Sequence, residues 1–290
     1  MKKGFNKVIE KTIEAIFLVC ACVAILSVII ITIYIFMKGS PAIFKVGLIN
    51  LITGQEWQPR ANIYGILPMI VASFIGTSGA ILFGVTIGLF TAIFLAEIAP
   101  KGVVKIFKPA INLLAGIPSV VFGFFGLIVF VPLISKYFGG AGNSLLAVII
   151  ILSIMILPTI ISITETSLKA VPITYKEGSL ALGATHIQTI FKVMIPAAKS
   201  GIMAAIVLGT GRAIGETMAV ILVAGNSTIL PRSLTDSVRT LTANIAIEMG
   251  YARGLHQEIL FATGVILFVF IMLLNIILNI IINRRANQGT

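Results

Sequence analysis

Charge is what this sequence has least of. Only 11 % of its 290 residues are charged and 58 % are hydrophobic, where an ordinary soluble domain carries roughly 25 % charge. Mean hydropathy is +1.10. This composition excludes a soluble globular domain, and it excludes disorder, which requires polar chains. Acid is scarcest, with 10 Asp and Glu against 21 Lys and Arg and a net charge of +11. Two cysteines, Cys20 and Cys22, cannot build a disulfide framework. Both lie inside an apolar run that continues to Met37, too long for a cleaved leader. His186 and His256 are isolated, so neither a metal site nor histidine chemistry is expected. No Gly-rich loop ending in Lys-Ser or Lys-Thr occurs, so a Walker-type nucleotide site is not expected either. No Ser, His and Asp set falls within the apolar runs, which argues against an intramembrane hydrolase. The chain reads as a non-enzyme.

What is present is long apolar runs. About 20 mainly apolar residues cross a bilayer as a helix. Six stretches qualify: Ile13 to Met37, Ile66 to Ala96, Pro109 to Ile134, Leu145 to Ile163, Pro196 to Ala224 and Ile259 to Ile282. The architecture expected is all-α, one polytopic membrane domain without fixed-period repeats.

The positive charge then reads as topology. Thirteen basic residues fall on one side: Lys2, Lys3, Lys7 and Lys11, then Lys101, Lys105 and Lys108, then Lys169, Lys176, Lys192 and Lys199, then Arg284 and Arg285. Seven fall on the other: Lys38, Lys45, Arg60, Lys136, Arg232, Arg239 and Arg253. Lys and Arg collect in the cytoplasm, so both termini are expected inside, as six spans require. The surface contacted is the lipid bilayer, and the +11 needs no nucleic acid. In the outer 38–65 loop Trp57 reads as an interfacial anchor or as a contact to an external partner.

Two features carry more than topology. The inner loop Thr164–Ile195 places Leu180, Ala184, Ile187 and Phe191 at helical spacing. That predicts a short helix over about 173–190, lying on the membrane or inserted in a partner's groove. Gly183 within it suggests a tight turn or a close backbone approach. In the fifth span Arg212 and Glu216 stand four apart, on one face of a helix. They adjoin a small-residue stripe, Gly201, Ala205, Gly209 and Ala213, that invites a neighbouring helix. Ionisable groups at that depth are costly and face a protein interior or a water-filled path. The pair reads either as an ion pair joining helices or as an anion pathway in which Arg212 supplies charge and Glu216 balances it, since guanidinium matches tetrahedral oxyanions bidentately.

The loop spacing Glu177, Gly183, Val193, Ile195-Pro196 resembles the signature of ABC-importer permeases, which runs Glu-Ala-Ala, three residues, Gly, nine residues, Ile, one residue, Leu-Pro. It departs from it at Gly178-Ser179, Val193 and Ile195. Gly211-Arg212-Ala213-Ile214-Gly215-Glu216-Thr217-Met218-Ala219-Val220 resembles the phosphate-importer permeases of the Pst type, PstC more than PstA. Gly116-Ile117-Pro118-Ser119-Val120-Val121-Phe122-Gly123 and Trp57-x-Pro59 with Tyr64-Gly65-Ile66-Leu67-Pro68 agree with it. The resemblance implies a MetI-like fold. Residues 1–54 would form a tail, a first span and the start of the outer loop, 55–285 a permease core, and 286–290 a C-terminal tail.

It further implies translocation of inorganic phosphate by alternating access. The implied partners are a second permease (PstA-like), a cytoplasmic ATPase dimer (PstB-like) holding ATP and Mg, and an extracytoplasmic phosphate-binding protein (PstS-like), with no cofactor in this chain. Arg212, Glu216, Thr217 and Ser119 would line the substrate pathway. Glu177, Gly183 and Ala184 would couple to the ATPase. Two other readings stay open: a sulfate- or molybdate-type permease, and a proton-coupled secondary transporter using Glu216.

Overall fold

The structure, a computed structural model, describes residues 2–286, with side chains described for 10–276 and 280. The basic side chains expected at Lys2, Lys3, Lys7, Arg284 and Arg285, and the tail beyond Ala286, lie outside the described residues.

Helix α1 (Lys2–Val46) ends at Gly47 and is followed by α2 (Leu48–Thr53). A small antiparallel hairpin, β1 (Trp57–Gln58) and β2 (Ile63–Tyr64), leads into α3 (Leu67–Ile93), which a π-helical turn extends to Ile98. Next come α4 (Lys101–Gly116), α5 (Ser119–Phe125) and, after a π turn, α6 (Val131–Phe138). Then follow α7 (Leu145–Lys169), α8 (Ile173–Ala181) and α9 (His186–Thr189). A π turn, α10 (Ile195–Ala197), α11 (Lys199–Gly215) and α12 (Met218–Val223) come after them. A loop, α13 (Leu241–Glu248) and α14 (Leu255–Ala286) complete the chain.

Among the described residues five helical stretches are long and apolar enough to cross a membrane: Glu10–Val46, Leu67–Ile98, Ser119–Phe138, Leu145–Lys169 and Leu255–Ile276. The sixth crossing is broken. Lys199–Val223 runs antiparallel to α7 along its length: a Cβ on Gly201 would strike Ser167, Gly209 faces Ile160, and Ser144 N–H donates to Val223 C=O at 3.1 Å. Ahead of it the chain bends by 70° between His186–Ala197 and Lys199–Gly215. The fold is all-α, as expected.

Helix α7 is the centre. Ile151, Leu152, Met155, Ile156 and Ile160 are buried, with α3 on one flank and α11 on another. Both neighbours approach on small residues. A Cβ at Gly84 would come within 2.6 Å of Ile156, so α3 meets α7 closely only because that atom is missing. The stripe Gly201, Ala205, Gly209, Ala213 does what its spacing predicts and faces α7. Helix α1 docks its second half on α14 through the edge-on pairs Tyr34–Phe261 (5.7 Å) and Phe36–Phe268 (6.0 Å). Residues 10–31, Cys20 and Cys22 included, are exposed.

The third span differs from expectation. It begins at Ser119, not Pro109, because Ile117 and Pro118 are extended and end α4. A proline removes a donor and disfavours helix in the residue before it. The 101–116 stretch is instead a separate amphipathic helix with no buried residue. Its mixture of Lys with Val, Ile and Leu reads as part loop, part span when only average hydropathy is weighed. The helices α1 and α14 run past the expected span limits at both ends, and the crossings return both termini to the end of the bundle that carries α4 and α8.

Candidate functional site

The expected Arg212–Glu216 pair does not form. Helix α11 ends at Gly215 and Glu216 is extended, so the two side chains do not share a helix face. The Glu216 carboxylate turns forward and accepts from Ala219 N–H at 3.1 Å, filling the amide end of α12. Two carbonyls at the break also find side-chain donors: Thr217 Oγ1 donates to Gly215 C=O at 3.1 Å, and Thr242 Oγ1 from α13 donates to Glu216 C=O at 3.0 Å. Partners of this kind are what let a helix break inside a membrane.

Arg212 is left without an acid. Its Nη1 donates to Thr159 Oγ1 on α7 at 3.4 Å, and no carboxylate pairs with it among the described residues. Thr159 lies about 21 Å along the helix from Leu145 and about 15 Å from Lys169 at 1.5 Å per residue, so Arg212 sits near mid-depth.

A second helix starts beside this break. Gly123 of α5 packs on Ala219, where a Cβ would meet the backbone at 2.7 Å, and Gly126 packs on Val223. Helices α5 and α12 therefore run parallel, and α5 begins at Ser119, about one turn ahead of the start of α12 in that register. Ser119 is half-buried and makes no hydrogen bond among the described residues. Gly116, Gly211 and Gly215 have open space where a Cβ would be. Two interrupted helices thus begin within about a turn of each other, after the segment that carries an acid-free guanidinium and an open flank.

The inner-loop segment is a helix, a turn and a helix rather than one helix over 173–190. Gly183 takes φ +87° and Ala184 N–H returns to Ser179 C=O at 3.2 Å. Thr185 and Gln188 then cap α9 reciprocally. The spacing that suggested one apolar stripe is cut by this left-handed turn. Glu177 is exposed and its side chain has no partner among the described residues, and Leu182 at the tip is 91 % exposed. The segment is anchored from below: Lys176 Nζ reaches Glu97 Oε2 at 2.6 Å, on a side chain only 6 % exposed at the end of α3. Nothing in the spacing of Glu97 and Lys176 announces that contact.

At the opposite end sequence reasoning missed a cluster. Trp57 is not an interfacial anchor. It is 7 % exposed, and its indole N–H donates to both Glu248 oxygens at 3.0 Å. Arg239 Nη1 (2.6 Å) and His256 Nε2 (2.7 Å) converge on the same carboxylate. The Tyr64 ring packs edge-on to Trp57 at 5.6 Å, and burial beside the Glu248 charge pushes the Tyr64 phenol up from its ordinary value. His256, isolated in sequence, is a member of a buried network. The only hint in sequence was a Trp, an Arg, a Glu and a His all falling in segments between spans.

Residues 84–287 match the family described as the binding-protein-dependent transport system inner membrane component. The chain belongs to that family. Its relatives include a probable ABC transporter permease protein, YqgH of Bacillus subtilis, 42 % identical over 92 % of this chain and 88 % of the relative. Another is the phosphate transport system permease protein PstC of Pasteurella multocida, 36 % identical over 74 % of this chain and 73 % of the relative. The inward-facing MetNI methionine ABC transporter shares the fold, with a TM-score of 0.59 at 20 % identity over 79 % of this chain and 99 % of that one. This binding-protein-dependent permease is a multi-pass transport component of the inner membrane. The family match takes in Ser119, Glu177, Gly183, Ala184, Arg212, Glu216 and Thr217, and leaves α1 and the Trp57 hairpin outside.

Proposed function

We propose that the chain is one of two permease subunits of an ATP-driven importer of inorganic phosphate. The α4–α8 end and both termini are cytoplasmic, in keeping with the 13 basic residues on that side. The second permease is PstA-like. An ATPase dimer of the PstB type holds ATP and Mg and engages Glu177, the Gly183–Ala184 turn and the exposed Leu182. A PstS-like protein delivers phosphate at the Trp57 end.

The observation that carries this reading is Arg212: a mid-depth guanidinium with no acid among the described residues, one turn before the break at Glu216–Thr217 and beside open space. An Arg so placed lowers the electrostatic cost of a doubly charged oxyanion, and its fork matches two phosphate oxygens. Ser119 and Thr217 add hydroxyls at the starts of α5 and α12. In alternating access the ATPases would move α8 and α9, and the Lys176–Glu97 contact would pass that displacement to α3 and so to α7 and α11. The break at Glu216–Thr217 is where the sixth crossing would flex. The PstC relatives support phosphate as the anion.

The test is Arg212→Gln in the reconstituted complete importer. Phosphate uptake is expected to fall about tenfold or more, the loss of one charge-assisted contact, with subunit assembly unchanged. Undiminished uptake overturns the anion role. Glu177→Lys should weaken ATPase association, and unchanged association removes the coupling assignment.

A further inference from the structure

Helix α4 is sixteen residues long and buries none of them, yet it is sorted into three edges. Val104 and Ile111 pack towards Ala92, Leu95 and Ile161. Ile106 and Leu113, seven apart, are exposed with Phe107 beside them. Lys101, Lys105, Lys108 and Asn112 recur at intervals of four and three and form a polar edge. An apolar flank beside a lysine edge is the pattern of a helix lying in the headgroup region of a bilayer.

The lysine edge does not face open solvent alone. It lines a cleft of about 630 Å³ whose other walls are Leu95, Ala96 and Ala99 at the end of α3 and Lys169 at the end of α7. The charges there do not cancel. Glu165, whose side chain is 5 % exposed, accepts from Lys108 at 3.1 Å and from Lys169 at 2.5 Å. Lys101 and Lys105 have no acidic partner among the described residues. Four ammonium groups line the cleft and one carboxylate, Glu165, pairs with two of them, while half of the lining residues are apolar.

We propose that this cleft seats the headgroup of an anionic phospholipid. Lys101 and Lys105 take the phosphodiester, and the glycerol and first methylenes lie on Leu95, Ala96, Val104 and Pro109. Free inorganic phosphate would gain nothing from those apolar walls. The lysines are also partly exposed, as snorkelling side chains at a membrane surface are, rather than desolvated as in a closed anion site. Lipid in this cleft would clamp α4 against the end of α3, four residues from the Glu97 that holds α8.

The experiment uses the intact importer in nanodiscs of neutral phosphatidylcholine, with or without phosphatidylglycerol, and native mass spectrometry of lipids retained after release. Phosphatidylglycerol is expected to be retained over phosphatidylcholine, and Lys101→Gln/Lys105→Gln to lower that retention about fivefold per lysine. Lys38→Gln/Lys136→Gln, at the other end, should leave it unchanged. Amine acetylation of the unmodified protein gives a second readout that needs no variant. Lys101 and Lys105 should be protected in phosphatidylglycerol discs and not by millimolar phosphate in neutral discs. Equal retention by the double variant, or protection by inorganic phosphate alone, overturns the proposal.

Discussion

Lys176 and Glu97 meet at 2.6 Å across 79 residues of chain. One is on the exposed helix α8 and the other is buried at the end of α3. Lys176→Met would strand a carboxylate that is 94 % covered without its cation, at a cost of about 1–3 kcal/mol. Phosphate moved per ATP hydrolysed should fall, while α8 stays exposed for docking. An unchanged transport ratio would show that α8 does not act through α3.

Glu248 gathers Trp57, Arg239 and His256, so its variants should rank by how many donors they strand. Glu248→Ala takes the anion from a mostly covered Arg239, which keeps only the Asn226 and Asn244 oxygens, and leaves a buried indole N–H unpaired; it should cost about 3–5 kcal/mol. Trp57→Phe removes one neutral donor and should cost about 1 kcal/mol beyond the packing change. Thermal unfolding of the detergent-solubilised complex would order them, and the reverse order would be inconsistent with a network centred on the carboxylate.

Glycines divide into those that allow contact and those that do not. At Gly123 a Cβ would meet the Ala219 backbone at 2.7 Å, so Gly123→Ala should cost about 1–3 kcal/mol by pushing α5 off α12. Gly183→Ala forces an L residue to φ +87° in open space and should cost about 1–2 kcal/mol. Gly178→Ala, mid-helix with nothing near, should instead stabilise α8 by up to about 1 kcal/mol. Melting temperatures of the three variants check the signs.

Asp236 organises the loop after α12. Its carboxylate accepts from Arg232 N–H at 2.7 Å and Ser233 N–H at 2.9 Å, and those bonds hold its pKa below the ordinary value. A lowered folded pKa means the contribution is complete above the unfolded value of about 3.9 and is lost as pH falls through the folded value. Hydrogen exchange at Arg232 and Ser233 should therefore rise relative to neighbouring amides only in strong acid. In Asp236→Asn protection should be low and independent of pH over the same range. A variant that kept the wild-type acid dependence would place its cause elsewhere.

Much of the fold was legible because hydropathy and small-residue spacing are local quantities. The runs at 66–96 and 145–163 became α3 and α7, and the Gly201–Ala213 stripe became the contact with α7. The boundaries failed where averages conceal a turn. Pro118 and Gly183 each break a helix, and the windows across them still look helical. Of the candidate site residues, Arg212 stands out in the sequence by its depth in an apolar run, and only that depth is read from local pattern. Its relation to Glu216 was misread, because i and i+4 spacing describes a face only while the helix continues.

Sequence alone determined the class: too little charge for water, six runs long enough for a bilayer, and motifs that belong to a permease family. These follow from composition and short-range spacing, which need no knowledge of distant contacts. Only the tertiary structure decided which charges are paired. Glu216 turned to cap α12, Arg212 was left without an acid, Glu248 collected three donors from three segments, and Glu97 took Lys176. In a nonpolar medium a buried ion is costly without a partner, and the partners of Glu248 and Glu97 lie 8 to 191 residues away, beyond anything periodicity can report.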